Sequence, residues 1–291
     1  MTACQPKITV IGAGIGGLAA ALRLSHQGCV VSVLDLHSAP GGKMRTVASD
    51  AGPVDAGPTV LTMRPVFEAL FADVGEALDD HLTLQPLTTL ARHYWDDGTM
   101  LDLDADPEKS LTNVIAAFGA KAGDEFASFS ARAGRLFAAF DGPMMRTAEP
   151  NQMAVTKTVM GQPSLIRDMA PHQTLAGLLK TSFSDPRLAQ LFGRYATYVG
   201  GSPYASTAIL SLIWQAAAQG DWSVNGGMHR LARAIAKLAQ ARGATFHYNT
   251  PATRITKQNG RTTGVQTAGG HFPADLVLFN GDPRALETGL L

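Results

Sequence analysis

The sequence predicts an α/β protein in two blocks of different character. Three observations carry that expectation. The N-terminal end runs strand, glycine turn, helix, strand, acid; a long middle stretch switches to helical spacing; the C-terminal end returns to short apolar strands.

The first succession is the most specific. Lys7-Ile8-Thr9-Val10-Ile11 is β-rich, Gly12-Ala13-Gly14-Ile15-Gly16-Gly17 is the turn, and Leu18 to Leu24 is a strong helix former. Gly28 can close that helix in a left-handed conformation without a Cβ penalty, and Val30-Val31-Ser32-Val33-Leu34 then leads to Asp35. Each part has a physical job in gripping a dinucleotide. Gly12 permits the tight turn, Gly14 lets the backbone approach a pyrophosphate and Gly17 lets the helix pack on the strand, with Gly16 in the same loop. The helix N-terminus offers free N–H donors and a positive dipole end. Asp35, about 20 residues on, stands where a carboxylate accepts from ribose hydroxyls. A glycine turn alone is a weak signal; its agreement with the flanking strand, helix and acid makes a Rossmann-like unit. As a secretory signal the stretch fails, because four glycines and Arg23 interrupt the apolar run.

Pro40-Gly41-Gly42-Lys43-Met44-Arg45 supplies a second dinucleotide contact. The backbone at Gly41 and Gly42 and the charges of Lys43 and Arg45 can reach the far side of the same phosphates and ribose. A nicotinamide enzyme needs no such element here, whereas flavin proteins of this topology place one after the second strand. Val54-Asp55-Ala56-Gly57-Pro58 then alternates into a turn, and Thr59-Val60-Leu61-Thr62 reads as a strand or an approach to the flavin ring.

Composition narrows the class. The chain is 45% hydrophobic and 16% charged, enough for a real core and too greasy for a disordered chain. Lys plus Arg and Asp plus Glu number 24 each, so no global basic field favours nucleic acid. Cys4 and Cys29 match no metal or redox spacing and fit a reduced, cytoplasmic setting as thiols without a functional role. No apolar run reaches the roughly 18 residues of a membrane span, although ten methionines suit a protein that handles greasy partners.

The middle block reads as an inserted substrate domain, 65–222, with 1–64 and 223–291 forming the dinucleotide-binding domain. Pro65 to Leu78 has helical spacing. His93 to Trp95 and Met100 to Leu103 flank Asp96-Asp97-Gly98 as a hairpin. Helices are expected over 107–118, 124–140, 175–183 and 186–198, with a methionine-rich stretch over 143–171 that reads as a mobile lid, a membrane-facing entrance or a plain long connection. Ala205 to Ala218 carries no charge and should be buried along much of its circumference. Asn225-Gly226-Gly227 then precedes a helix closed by Gly243, and Ala244 to Tyr248 is a strand. Asn259-Gly260 is a hairpin turn, and Asp275 to Asn280 is a buried strand that joins the N-terminal ones in one sheet.

With these pieces in order, the sequence resembles the carotenoid desaturase branch of the flavin amine-oxidase superfamily, and within it the methoxyneurosporene dehydrogenases, also called 1-hydroxycarotenoid 3,4-desaturases. Val10 to Leu18, Pro40 to Thr46, Val54 to Met63, Tyr198 to Tyr204, Asn225 to Met228 and Phe279 to Pro283 carry the likeness. It implies a glutathione-reductase type of FAD-binding domain. Gly12, Gly14, Gly16, Gly17, Asp35, Gly41, Gly42, Lys43, Arg45, Gly57, Pro58 and Thr59 match its FAD-binding motifs, and Ala252 matches the backbone that holds the adenine. Asp35 stands where the family more often has Glu. Family members continue with a second glycine-rich segment and a helix that cover the flavin, so the resemblance implies a chain truncated after Leu291.

The implied reaction is dehydrogenation of a C–C bond of a carotenoid polyene such as hydroxy- or methoxyneurosporene, with peripheral contact at the inner membrane of a bacterium. No spacing selects a catalytic base among Arg92, His93, Tyr94, Arg194, Tyr195 and Tyr198, and the oligomeric state is not legible. Two rival readings stay open. One is another flavin oxidoreductase of the superfamily, such as an amine oxidase. The other is a flavin-free lipid- or prenyl-binding relative, as the Rab GDP-dissociation inhibitors resemble; the retained glycines and Asp35 argue against it, as they do against a nonfunctional remnant.

Overall fold

The computed structural model describes residues 5–147 and 149–291. Cys4 lies outside the described residues. The chain divides into two compact units, one that runs to Gln85 and resumes from Trp222 to Leu291, and one formed by Pro86–Asp221.

In the first unit, β1 (Lys7–Ile11), α1 (Ile15–His26) and β2 (Val30–Leu34) follow one another in the expected order. β1 lies inside a four-stranded parallel sheet, between β2 and the strand Leu276–Phe279, with Thr245–His247 on the far side of β2. Val10 stands opposite Val33 on one side and Leu278 on the other, so residues from both ends of the chain share one register. Near-continuous apolar runs suit strands covered on both faces. Leu276–Phe279 is nevertheless an edge strand, with Leu276 largely exposed, and not the buried one that its apolar run suggests.

α1 buries Leu18, Ala21 and Leu22 against a second helix, His229–Ala241, which contributes Leu231, Ala232 and Ile235 to the same core. Its C-terminus closes at Gly28, with φ +85°, and the Cys29 N–H donates to the Leu24 carbonyl at 3.0 Å. The second unit begins at Pro86 rather than at 65 for a packing reason. Helix Arg64–Ala72 places Leu70 and Phe71 in this core, and Leu78 and Leu82 follow them. Residues 252–273 form a separate antiparallel sheet of three strands, turned at Asn259 and Gly260, both at positive φ.

In the second unit, Thr89–Tyr94 and Met100–Asp104 pair as the expected hairpin, with Tyr94 opposite Met100. Helix Pro107–Phe118 matches its expected bounds, and the next starts earlier, at Ala120–Phe140. The stretch over 143–171 is not a plain connection, since it contains helices Gln152–Gly161 and Ser164–Met169, the second anchored by Leu165. The segment over 186–198 ends its α-helix at Gly193 and tightens into a 3₁₀ turn over Arg194–Val199. Ala205 to Ala218 likewise splits into Ala208–Leu212 and Ile213–Ala218, and only Ala208, Ser211 and Trp214 are buried, one stripe at three-residue spacing and not most of the circumference expected.

That core is a cluster of rings. Phe192 lies 4.6 Å from Phe129 and 5.3 Å from Phe183 between centroids, and Trp214 meets Phe192 edge-on at 5.4 Å while its indole N–H donates to Ser130 Oγ. Phe192→Ala should therefore cost about 3–5 kcal/mol. Urea unfolding followed by tryptophan fluorescence checks this; a loss below about 1 kcal/mol would contradict Phe192 as the centre of the cluster.

Candidate functional site

A cleft of about 900 Å³ opens beside the glycine turn of the first unit, where Gly12, Gly14, Gly16, Asp35, Gly42 and Ala252 are among its lining residues. It lies off the carboxyl ends of β1, β2 and Leu276–Phe279, where open α/β sheets bind ligands. Gly12 holds φ +100°, donates its N–H to the Leu34 carbonyl at 2.8 Å, and has the Asn280 carbonyl oxygen 2.9 Å from where a Cβ would stand. A Cβ on Gly17 would run into the Gly12 carbonyl, so only glycine lets α1 sit this close to β1. Gly14 caps α1 without a side chain, and no acid occupies the first turn, which leaves the helix N-terminus free to receive an anion at the cleft wall.

Asp35 is buried, and both of its oxygens are engaged. Oδ2 accepts from the Ala13 N–H at 2.6 Å and Oδ1 from the His37 N–H at 2.7 Å. The carboxylate therefore fastens the glycine turn to the loop after β2. Each oxygen keeps a lone pair, so a ribose hydroxyl can still be accepted on the cleft side.

The second glycine pair folds over the first. The Gly41 N–H donates to the Ala13 carbonyl at 2.8 Å, and a Cβ on Gly42, which has φ +58°, would approach Gly14 Cα to 3.1 Å. His229 pins this loop through the Pro40 carbonyl at 2.7 Å. Lys43 and Pro58 also line the cleft, whereas Gly17, Arg45, Gly57 and Thr59 do not. Gly57 serves the backbone instead, because a Cβ there would strike the Lys43 carbonyl. Asp55 accepts from the Met228 N–H at 2.9 Å, tying this loop to the start of helix His229–Ala241.

Sequence reasoning missed Asn280. Its side chain packs where Cβ atoms on Gly14 and Gly16 would be, 3.0 and 2.7 Å away, and its N–H donates to the Ile11 carbonyl. The glycines thus admit a neighbouring strand end as well as a ligand. The polar residue directly after the apolar strand was the available signal.

In the second unit, the polar residues without an assigned role separate by environment. Arg92 makes a bidentate pair with Asp102 at 2.6 and 2.7 Å, and Tyr94 and Tyr198 are exposed. His93, Arg194, Tyr195 and Asp221 are different. His93 Nε2, Arg194 Nε and Asp221 Oδ1 are buried atoms without a hydrogen-bond partner, and Arg194 Nη2 donates to the hydroxyl of the fully buried Tyr195 at 3.3 Å. Burial first, then the Arg194 charge, lowers the His93 imidazole to about 4, while burial raises the Asp221 carboxyl to about 6 against the pull of Arg194.

A family model for flavin containing amine oxidoreductases matches residues 15–291. The chain belongs to that family. It is 52% identical, over 98% of its length, to a hydroxyneurosporene desaturase of Cereibacter sphaeroides and 47% identical, over 99%, to one of Rhodobacter capsulatus. It spans 58% of the length of each of these relatives. Wild-type putrescine oxidase shares the fold, with a TM-score of 0.63 at 17% identity over 98% of this chain and 60% of that one. FAD is the cofactor of the flavin family. The chain's uncapped α1 terminus, paired glycine turns and buried acid are the features that a dinucleotide needs, so the residues present fit it.

These environments have measurable consequences. Asp35→Ala leaves two backbone N–H groups without an acceptor and should cost about 2–4 kcal/mol in urea unfolding, with Asp35→Asn recovering part of that loss. The unfolded chain binds the His93 proton between about 4 and 6.5, so stability falls as pH drops through that window; Asp221 holds its proton when folded between 3.8 and about 6, so its contribution falls as pH rises. The two offset each other. His93→Gln should expose the Asp221 slope and Asp221→Asn the opposite one, read as denaturation midpoints between pH 4 and 6.5; parallel profiles would contradict the assignment.

Proposed function

We propose that this chain carries the dinucleotide half-site and the substrate unit of an FAD-dependent desaturase that dehydrogenates a C–C bond of a hydroxylated or methoxylated carotenoid, hydroxyneurosporene being the model substrate. The likeness to the two hydroxyneurosporene desaturases, held along nearly the whole chain, carries this reading. Gly12, Gly14 and Gly16 with the α1 N-terminus would receive the pyrophosphate, Asp35 the ribose, and Gly41, Gly42 and Lys43 the far side of the same groups. Ala252 would meet the adenine. Pro58 would border the ligand, while Gly17 and Gly57 would act by keeping the backbone close; Arg45 and Thr59, which do not line the cleft, are assigned no contact with it.

In such a dehydrogenation one carbon loses a hydride, its neighbour loses a proton to water or a basic group, and the double bond forms between them. When bound, FAD supplies the hydride acceptor, which is why no metal or nucleophile is asked of the protein. What remains for the chain itself is to hold an apolar substrate still and dry. Contact with a lipid surface would deliver that substrate, and Met153 and Met160, both widely exposed on helix Gln152–Gly161 with Lys157 between them, support this.

The test is an absorbance spectrum of the full-length protein after FAD loading and desalting, beside Gly14→Val and Gly42→Val. Retained flavin in the parent and a loss of at least about tenfold in affinity in both variants is the expected result. Equal retention in all three would remove the half-site from this cleft. Turnover of a hydroxylated polyene by the loaded parent then tests the reaction.

A further inference from the structure

Asn280 holds a fixed place at the open end of α1. Its backbone N–H donates to the Ile11 carbonyl at 2.8 Å, and its own carbonyl oxygen stands 2.9 Å from where a Cβ on Gly12 would be. The residue is thereby gripped at the end of strand Leu276–Phe279, beside the glycine turn. Its side chain then lies across that turn. Nδ2 is 3.0 Å from the Cβ position of Gly14 and 3.1 Å from that of Gly17, and Oδ1 is 2.7 Å from that of Gly16. Half-buried, Asn280 lines the cleft together with Gly12, Gly14, Ile15 and Gly16.

Charge gives this amide its significance. The cleft lining holds one lysine, Lys43, and no arginine, with Asp35 and Asp282 as its acidic side chains. A diphosphate received here is met chiefly by neutral donors, the free N–H groups of α1 first among them. Few neutral side chains in the lining can add to these. Thr250 Oγ1 already donates to the Tyr248 carbonyl at 2.9 Å, and His37 belongs to the loop that Asp35 fastens. Asn280 Nδ2 carries two protons and gives one to the Gly12 carbonyl, at a long 3.4 Å. Among the described residues the second has no partner.

We propose that Asn280 is a further residue of the dinucleotide site, its Nδ2 donating to the diphosphate at the N-terminus of α1; this rests on the half-site reading above. The amide supplies a donor to an anion and adds no charge beside Asp35 and Asp282. A carboxylate of the same shape would do the reverse. It would attract the free N–H groups of α1 to itself and repel the phosphates.

The experiment uses the full-length protein, freed of flavin and titrated with FAD and, separately, with ADP, which carries a diphosphate but no flavin. Asn280→Ala should weaken both by about tenfold, the worth of one hydrogen bond to a charged group. Asn280→Asp, nearly isosteric, should weaken both by about a further tenfold in low salt, and that added loss should shrink as salt is raised towards about 1 M. Melting of the flavin-free variants, followed by circular dichroism, should stay near the parent's, because the bond given up is the long one to Gly12. An added loss in Asn280→Asp that salt does not alter overturns the inference. So does a melting temperature that falls in step with affinity, as expected of a residue that only packs. A parent that binds neither FAD nor ADP overturns the half-site reading and the role of Asn280 with it, whereas a parent that binds both and variants that match it overturn this inference alone.

Discussion

The first unit depends on how closely α1 sits against β1. That distance is set where Gly17 faces the Gly12 carbonyl, a contact that any side chain would break. Once the helix is seated there, its N-terminus points at the cleft with no capping side chain in the way, and its Leu18 and Leu22 reach the core shared with Leu231 and Ile235. Packing and ligand geometry are therefore one constraint. A looser helix would lose apolar contact and misdirect its free N–H groups at the same time.

Asp35 extends the same economy. Its carboxylate holds the Ala13 and His37 N–H groups, so the acid proposed for the ribose also clamps the glycine turn to the loop after β2. Gly41 joins in by bonding to the Ala13 carbonyl from the other side. Three segments that are far apart in sequence meet at the cleft beside the glycine turn: the loop after β2 with its glycine pair, the start of the 252–258 strand and Asn280. The second unit is organised differently. It rests on aromatic stacking around Phe192, and its buried polar residues, Asp104, Ser110, Asp168, Ser211 and Asp221, are spread along the unit.

Much of this was legible in the chain because it is local. The glycine turn, α1 and Asp35 lie within one strand-helix-strand unit, and the Asp97-Gly98 and Asn259-Gly260 turns act over a few residues. The misreadings have tertiary causes. Helix Arg64–Ala72 has the spacing of any amphipathic helix, and only the place of its Leu70 and Phe71 in the core cluster that holds Leu18 and Leu22 assigns it to the first unit. Leu276–Phe279 looks buried because its residues are apolar, while sheet order places it at an edge. Asn280 is legible only as part of the Phe279 to Pro283 likeness; its place beside Gly14 and Gly16, which leave room for it, is a tertiary fact.

The sequence by itself determined the fold class, the dinucleotide signature and the family likeness, since those reside in residue types at short, regular spacings. Only the tertiary structure decided which of the matched residues share a cleft, that Gly17, Arg45, Gly57 and Thr59 stand outside it, and that the Arg194 charge acts on both His93 and Asp221. The physical reason is distance along the chain. Backbone conformation is dictated by neighbours, whereas the desolvation and charge that act on a side chain are supplied by whatever the fold brings beside it, here from residues 93, 194 and 221 on three separate elements.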